Sequence, residues 1–357
     1  MSTASLQRAP LKAALIGAGA IARQHLACLQ GLPGVQIVGV CDLSPAAAES
    51  AAERHAASAW FTDYRAMLAT ARPDVVHITT PPASHFRLAT DCIAAGAHVL
   101  VEKPITESFA QLEELLRFGA EHGRAVVEDF NYLYNHGPRE IMARIESGAF
   151  GEVVHVEAMI SLNILGPGGF ADPNSPHPIL KTPGGAIADF MPHLAAMAHL
   201  FIGPHRHAQS IWKKRRDSLA PFDEFRGQVE GERGTAALAF SSSARPDAFW
   251  LRVYGENMQA TANLFETRLT FNSVRPGPPP LMSLFNGLDE GKDIRQAARG
   301  TLWRKFKGGP GGYEGLFELL ARTYRALADG STLPITPQQI IEVNRLVEDL
   351  KPERSLA

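Results

Sequence analysis

Leu15-Ile16-Gly17-Ala18-Gly19-Ala20-Ile21-Ala22 decides how the first third of the chain is read. It follows Ala13–Ile16, a short apolar run suited to a buried strand, and opens Ile21–Gly31, a helical pattern closed by Gly31, Pro33 and Gly34. Gly17 permits a tight turn, and Gly19 lets backbone approach a pyrophosphate. Ala22 takes the third position, which faces helix–strand packing and accepts Gly or Ala. The helix start at Ala20 and Ile21 then aims N–H groups at the phosphates. A plain strand-to-helix turn could use the same residues, so the reading depends on what surrounds it.

The surroundings agree. Val35–Val40, Val75–Thr79, His98–Glu102 and Ala125–Val127 read as further strands. They alternate with helical patterns at Pro45–Ala57, Phe86–Ala95 and Phe109–His122. Continuous Val/Ile-rich strands separated by helices imply a parallel sheet covered on both faces. Asp42 ends the second strand, 23 residues beyond Gly19. A carboxylate there accepts hydrogen bonds from both adenosine ribose hydroxyls and repels a 2′-phosphate, which favours NAD over NADP. The competing reading makes Asp42 a helix cap beside Ser44 and Pro45.

After about residue 150 the pattern changes. Gly151–Ser161, Ala208–Lys213, Glu224–Glu232, Thr235–Ser241, Ala248–Tyr254, Met258–Phe265 and Arg268–Phe271 read as successive strands of an open antiparallel sheet. A helix at Pro192–Phe201 lies between the first two. Residues 275–312, rich in Pro and Gly, read as a surface excursion, and helices at Tyr313–Asp329 and Pro337–Leu350 close the chain. The expected domains are residues 1–127, which bind the nucleotide, and residues 128–357, which bind substrate and form oligomers, with the closing helices packing back toward the first.

Composition narrows the function. The 357 residues carry 35 Lys and Arg against 37 Asp and Glu, a formal charge of −2. That leaves no electrostatic footprint for nucleic acid or an anionic membrane. The apolar run Ala13–Ala22 is too short to span a bilayer. Three cysteines, Cys28, Cys41 and Cys92, cannot build a disulfide framework and fit buried thiols in a reducing cytoplasm. His177, His199, His205 and His207 follow no metal-ligand spacing, so no metal is expected.

Two further segments carry chemistry. Thr79-Thr80-Pro81-Pro82-Ala83-Ser84-His85 and Glu102-Lys103-Pro104 end two strands at the carboxyl edge, where open parallel sheets bind ligands. Pro104 holds Lys103 extended and so directs its stem. Gly184-Gly185-Ala186-Ile187-Ala188-Asp189-Phe190-Met191-Pro192-His193 leads into an apolar helix, with Asp189 and His193 one turn apart and Pro192 in the first turn.

Together with the glycine turn, these segments resemble the glucose–fructose oxidoreductase / inositol dehydrogenase family, Gfo/Idh/MocA, over nearly the whole chain. The resemblance implies an α/β protein. An N-terminal Rossmann dinucleotide-binding domain would be followed by a C-terminal α/β domain with a large, mostly antiparallel open sheet that commonly forms the subunit interface. It implies hydride transfer between a nicotinamide cofactor and a ring hydroxyl of a sugar, inositol or related polyol. By motif match, Lys103, Asp189 and His193 would form the catalytic constellation. Thr80, Pro81, His85 and Glu102 would flank the cofactor, although His85 reads equally as a helix cap. His193, near a helix start and beside an ammonium group, is expected to stay neutral and act as base. Lys103 would steady the substrate oxygen, and Asp189 would orient substrate or His193.

The chain departs from the family pattern at Met191, where Gly is frequent. It also lacks an arginine often found near Asp129–Tyr134, where Asn131 and Tyr132 can still meet polar substrate. The loop 163–183 reads either as a substrate-facing lid, with Asn163 and Lys181 as contacts, or as a connection. The rival functions are an NAD-dependent glycoside-cleaving enzyme using transient oxidation and a non-catalytic nucleotide-sensing regulator. Small and apolar residues on both faces of Thr235–Ser241 point to a homodimer or homotetramer through the sheet.

Overall fold

Apolar runs too short for helices, each fenced by Gly, Pro or a capping residue, set the strands of the first sheet. The computed structural model describes residues 9–164, 169, 184–215, 220–266, 268–306 and 313–352. The chain divides into two compact units, Met1–Asp129 with Leu316–Ile340, and Phe130–Gly315 with Ile341–Ala357.

In the first unit the order is β1 (Leu11–Ile16), α1 (Ala22–Gly31), β2 (Val35–Cys41), α2 (Pro45–Arg54), β3 (Trp60–Phe61) and α3 (Tyr64–Ala71). It continues through β4 (Val75–Ile78), α4 (His85–Ala94), β5 (His98–Val101), α5 (Phe109–Glu121) and β6 (Val126–Glu128). The six strands are parallel in the order β3-β2-β1-β4-β5-β6, the doubly wound arrangement whose strand order reverses between β1 and β4. Their side chains are buried on both faces: Ala13, Ala14, Leu15, Val76, Ile78, Leu100 and Val101 are all at most 1% exposed. Ser44, Asp63 and Ser108 cap α2, α3 and α5 with side-chain oxygens on N–H groups of the first turn.

The second unit opens with α6 (His136–Glu146) and β7 (Val153–Ser161). Next come α7 (Gly185–Ile202), β8 (His205–Lys213), β9 (Glu224–Gly231), β10 (Thr235–Ser241), β11 (Ala248–Gly255), β12 (Met258–Asn263), β13 (Arg268–Ser273) and α8 (Pro279–Phe306). The seven strands run β13-β12-β11-β7-β10-β9-β8, and every pair is antiparallel except β7 with β10. α7 covers one face, burying Ile187, Met191, Leu194, Met197, Phe201 and Ile202. By length and hydropathy α7 could cross a membrane, but 72% of it is buried inside the fold, as in a core helix. Last come α9 (Glu314–Asp329) and α10 (Pro337–Asp349).

Three sequence expectations are corrected. The first sheet has a sixth strand, β3, paired for two residues with Val40 and Cys41. The Pro/Gly-rich excursion contains the 28-residue helix α8, which presents Leu281, Leu284, Phe285 and Leu288 to solvent. α7 starts at Gly185, not Pro192, so Pro192 lies inside it and withholds the N–H that the Ala188 carbonyl would receive.

Candidate active site

The glycine turn leads from β1 into α1 and packs against the end of β4, the neighbouring central strand of the first sheet. Gly17 has φ +97°, and a Cβ there would lie 2.7 Å from Thr80 Cγ2 and 3.0 Å from the Thr79 carbonyl group. Only glycine fits between the ends of β1 and β4. Thr79 closes the same seam, its hydroxyl donating to the carbonyls of Ile16 (3.1 Å) and Gly17 (2.7 Å). A Cβ at Gly19, by contrast, would meet nothing within 4 Å, so the side of the turn facing α1 is open. No side chain caps α1, and its first turn holds no acidic residue. Free N–H groups beside an open glycine form the cradle a pyrophosphate needs, and these residues fit NAD. Ala20 and Ile21 lie on that turn, Ala20 exposed and Ile21 half-buried.

Asp42 is not the cap of α2, which is Ser44, but its carboxylate ties the segment between β2 and α2 to the glycine turn. One oxygen accepts the Ala18 N–H at 2.7 Å and the other the Ser44 N–H at 2.8 Å, so it braces the glycine turn and the entry to α2. Each carboxylate oxygen keeps a second lone pair for a ribose hydroxyl. Leu43, beside it, is 94% exposed, an apolar surface that sequence reading did not single out.

The edge continues through the ends of β4 and β5. The Thr80 hydroxyl is 2.7 Å from that of Ser84, and Pro81 is exposed. His85 is fully buried, with Nε2 2.7 Å from the Thr80 carbonyl and Nδ1 2.9 Å from the Pro104 carbonyl. Its ring therefore ties the two segments together. Burial lowers its pKa, against the two carbonyls and Glu102. Lys103 is half-buried at the end of β5, and its peptide bond to Pro104 is cis. Glu102 is buried beneath it and accepts the Lys103 N–H at 3.2 Å. Burial raises the thiols of Cys28 and Cys92 to about 12, so they are not nucleophiles.

In the second unit, Gly184 starts α7 from the left-handed region, φ +80°. Asp189 is half-buried and His193 is 4% exposed, one helical turn apart. The Tyr132 ring stands edge-on to His193 at 4.6 Å between centroids and meets Phe249 at 5.2 Å. Asn131 and Tyr132 share one 3-10 turn. His193 lies more than two turns inside α7, so the helix-start effect expected for it does not apply. The Asn163 side-chain oxygen accepts from Arg245 at 2.9 Å. Lys181, His177 and most of the loop 163–183 lie outside the described residues. His199 and His205 pair with Glu342 and Asp349 on α10 as structural ties.

A parallel 3-2-1-4-5-6 sheet with an open glycine cradle, followed by a sheet-and-helix unit carrying Asp189 and His193, defines a two-unit protein of the dinucleotide-binding oxidoreductase class. Family models agree: the oxidoreductase family, NAD-binding Rossmann fold, matches residues 11–130, and the GFO/IDH/MocA C-terminal domain matches residues 139–261. The chain belongs to the Gfo/Idh/MocA family.

Among similar proteins, inositol 2-dehydrogenase of Gluconacetobacter diazotrophicus is 31% identical over 58% of this chain and 59% of its own length. D-glucoside 3-dehydrogenase of Escherichia coli is 27% identical over 42% of this chain and 43% of its own. The chain spans about half the length of the curated relatives it matches. Levoglucosan dehydrogenase, solved with NADH and levoglucosan, superposes with a TM-score of 0.78 over 96% of both chains at 16% identity, a likeness of fold.

Proposed function

We propose that this protein is an NAD-dependent dehydrogenase or reductase acting on a ring hydroxyl or ketone of a sugar, inositol or related cyclic polyol. One observation supports this above the rest. Lys103, at the carboxyl end of β5, follows a buried carboxylate on the same sheet edge as an open glycine cradle. A nicotinamide, when bound, supplies the hydride acceptor or donor. The chain's part is proton and charge handling. Lys103 donates a hydrogen bond to the reacting oxygen and stabilises its alkoxide character, and His193 takes the hydroxyl proton. Asp189, one turn before His193, orients the imidazole or a neighbouring hydroxyl. Asn131 and Tyr132 hold further polar groups of the ring, and Asn163 and Lys181 complete the substrate contacts.

The curated relatives named for inositol and glucoside oxidation support this substrate class. The three buried thiols suit a reducing cytoplasm. The outer face of the second sheet is the proposed seam of a homodimer or homotetramer.

A panel of inositols, hexoses, glucosides and sugar acids, assayed for NADH production with NAD, tests the reading. At least one cyclic polyol should be oxidised, and Lys103→Ala and His193→Ala should each lower kcat by about a hundredfold or more while NADH binding persists. Unchanged turnover in Lys103→Ala would remove Lys103 from the chemistry. Cleavage of a glycoside without net NADH would replace oxidation by elimination.

A further inference from the structure

Behind the carboxyl edge of the parallel sheet, four buried polar side chains from four elements form a continuous hydrogen-bonded line. His25 is on α1, His77 on β4, Glu102 just past β5 and Tyr324 on α9. His25 Nε2 lies 3.0 Å from Glu102 Oε1, and His25 Nδ1 lies 2.9 Å from His77 Nδ1. His77 Nε2 lies 3.0 Å from the Tyr324 hydroxyl. Asp129, just past β6, brings Oδ2 to 3.6 Å of His25 Nε2, and its charge also acts on Cys28.

Two protonation patterns satisfy the line, one with His25 protonated and one with both rings neutral and the Tyr324 hydroxyl donating to His77 Nε2. Two facing Nδ1 atoms need one N–H and one lone pair between them. Burial alone lowers the pKa of His25, but its hydrogen bonds to Asp129 and Glu102, with their charges, raise it to about 9. His77 is pushed down by burial and then by the charge of His25. These shifts favour the first pattern, in which protonated His25 donates to Glu102 and to His77, and neutral His77 donates to Tyr324. Against the effect of burial, His25 and then Lys103 hold Glu102 ionised, while burial and Glu102 raise Asp129.

A buried ion pair is a poor source of stability, because desolvation cancels much of the attraction. What this pair does hold is the turn after β5. Glu102 keeps one oxygen on His25 and places the other on the Lys103 N–H. The Pro104 carbonyl is held by His85, and the Ile105 N–H by Glu128 at 3.3 Å. Three consecutive residues are gripped by buried side chains, and Lys103 lies at their head.

We propose that the His25–Glu102 pair is a positioning device for Lys103, fixing from inside the fold the turn that carries its ammonium group. Its value to the reaction rests on the dehydrogenase reading above; the positioning itself does not. The competing use of these atoms is a cation site, since His25, Glu102 and Asp129 offer ligand atoms within 4.8 Å of one another. A cation would require His25 Nε2 to lose its proton and its 3.0 Å bond to Glu102.

The chain has nine lysines, so reductive methylation with 13C-formaldehyde gives a short set of NMR signals, that of Lys103 being identified by its loss in Lys103→Arg. The comparison is between the wild type, His25→Gln and His25→Ala, each checked for fold by circular dichroism and for NADH affinity. The Lys103 signal should change in shift and titration midpoint in both variants while those of Lys12 and Lys351 stay. With a substrate from the panel, kcat should fall about tenfold to a hundredfold with KM changed by less than about threefold. Soaking His25→Ala in imidazole should restore part of both readouts. A Lys103 signal identical in all three proteins would overturn the proposal, as would one tightly held zinc ion per chain that is lost in His25→Gln. If Lys103→Ala retains turnover, the dehydrogenase role of Lys103 fails, yet the NMR comparison still decides the positioning.

Discussion

A methyl group at Gly17 would collide with Thr80 and the Thr79 backbone in a conformation at φ +97°, whereas one at Gly19 would point into open space. The two substitutions therefore separate folding from binding. Gly17→Ala should destabilise the protein by about 2 kcal/mol and abolish NADH binding. Gly19→Ala should leave stability within about 0.5 kcal/mol while weakening NADH about tenfold, because only the incoming pyrophosphate meets the methyl. Thermal melting and fluorescence titration with NADH read both. His25 makes a second prediction at this scale. Its folded pKa of about 9 lies above the ordinary 6.5, so its contribution is complete below pH 6.5 and lost as pH rises through 9. Urea unfolding of the wild type should lose up to about 3 kcal/mol across that window, and His25→Gln should flatten the slope. Equal slopes would show that His25 is not protonated in the fold.

At the scale of elements, what was legible in the sequence is what periodicity and fences can carry. β1, β2, β4, β5 and β6 are apolar runs bounded by Gly, Pro or caps, and the seven strands of the second sheet alternate between polar turns. β3 escaped because two residues, Trp60 and Phe61, have no period, and their pairing depends on the end of β2. α8 escaped because its Pro and Gly residues read as breakers, yet Pro279 and Pro280 sit at its first positions, where missing N–H groups cost nothing. α7 reads short in the sequence for the converse reason: Pro192 looks like a helix start, and burial under the sheet carries the helix through it. The glycine turn and the segments around Lys103 and Asp189 have local signatures, while the bonds among His25, His77 and Tyr324 join positions up to 247 apart and have none. The start of α7 is itself testable. A Cβ at Gly184 would lie 2.8 Å from Ala188 Cβ at positive φ, so Gly184→Ala should cost about 1–3 kcal/mol and disturb the turn leading to Asp189. Melting temperature against the neutral control Gly148→Asn, at an exposed loop with φ +76°, reads the difference.

At the scale of the whole molecule, α7 covers one face of the sheet of the second unit among the described residues. On the other face, paired neighbours are Trp250 with Met159 and Arg252 with Glu157 across β11 and β7, then Ala239 with Met159 and Arg226 across β10 and its flanking strands. Arg252 and Glu157 approach to 3.6 Å, and the Arg268 guanidinium lies 5.6 Å from the centre of the Trp250 ring. Small side chains at Ala237 and Ala239 keep the middle of this face low, with aromatic and paired charged groups around it. A flat surface with an apolar middle and a polar rim matches the anatomy of a subunit interface, and a stable one needs roughly 800 Å² per partner. A sheet face offers that without rearrangement. Light scattering at micromolar concentration should therefore report a dimer or tetramer, and Ala239→Arg, which places a long charged group at the centre, should shift it to smaller species. The variant should keep its circular dichroism, since Ala239 is only half-buried in the single chain. A monodisperse wild-type monomer would end the prediction and leave the apolar middle of the sheet to be covered by something other than a second copy.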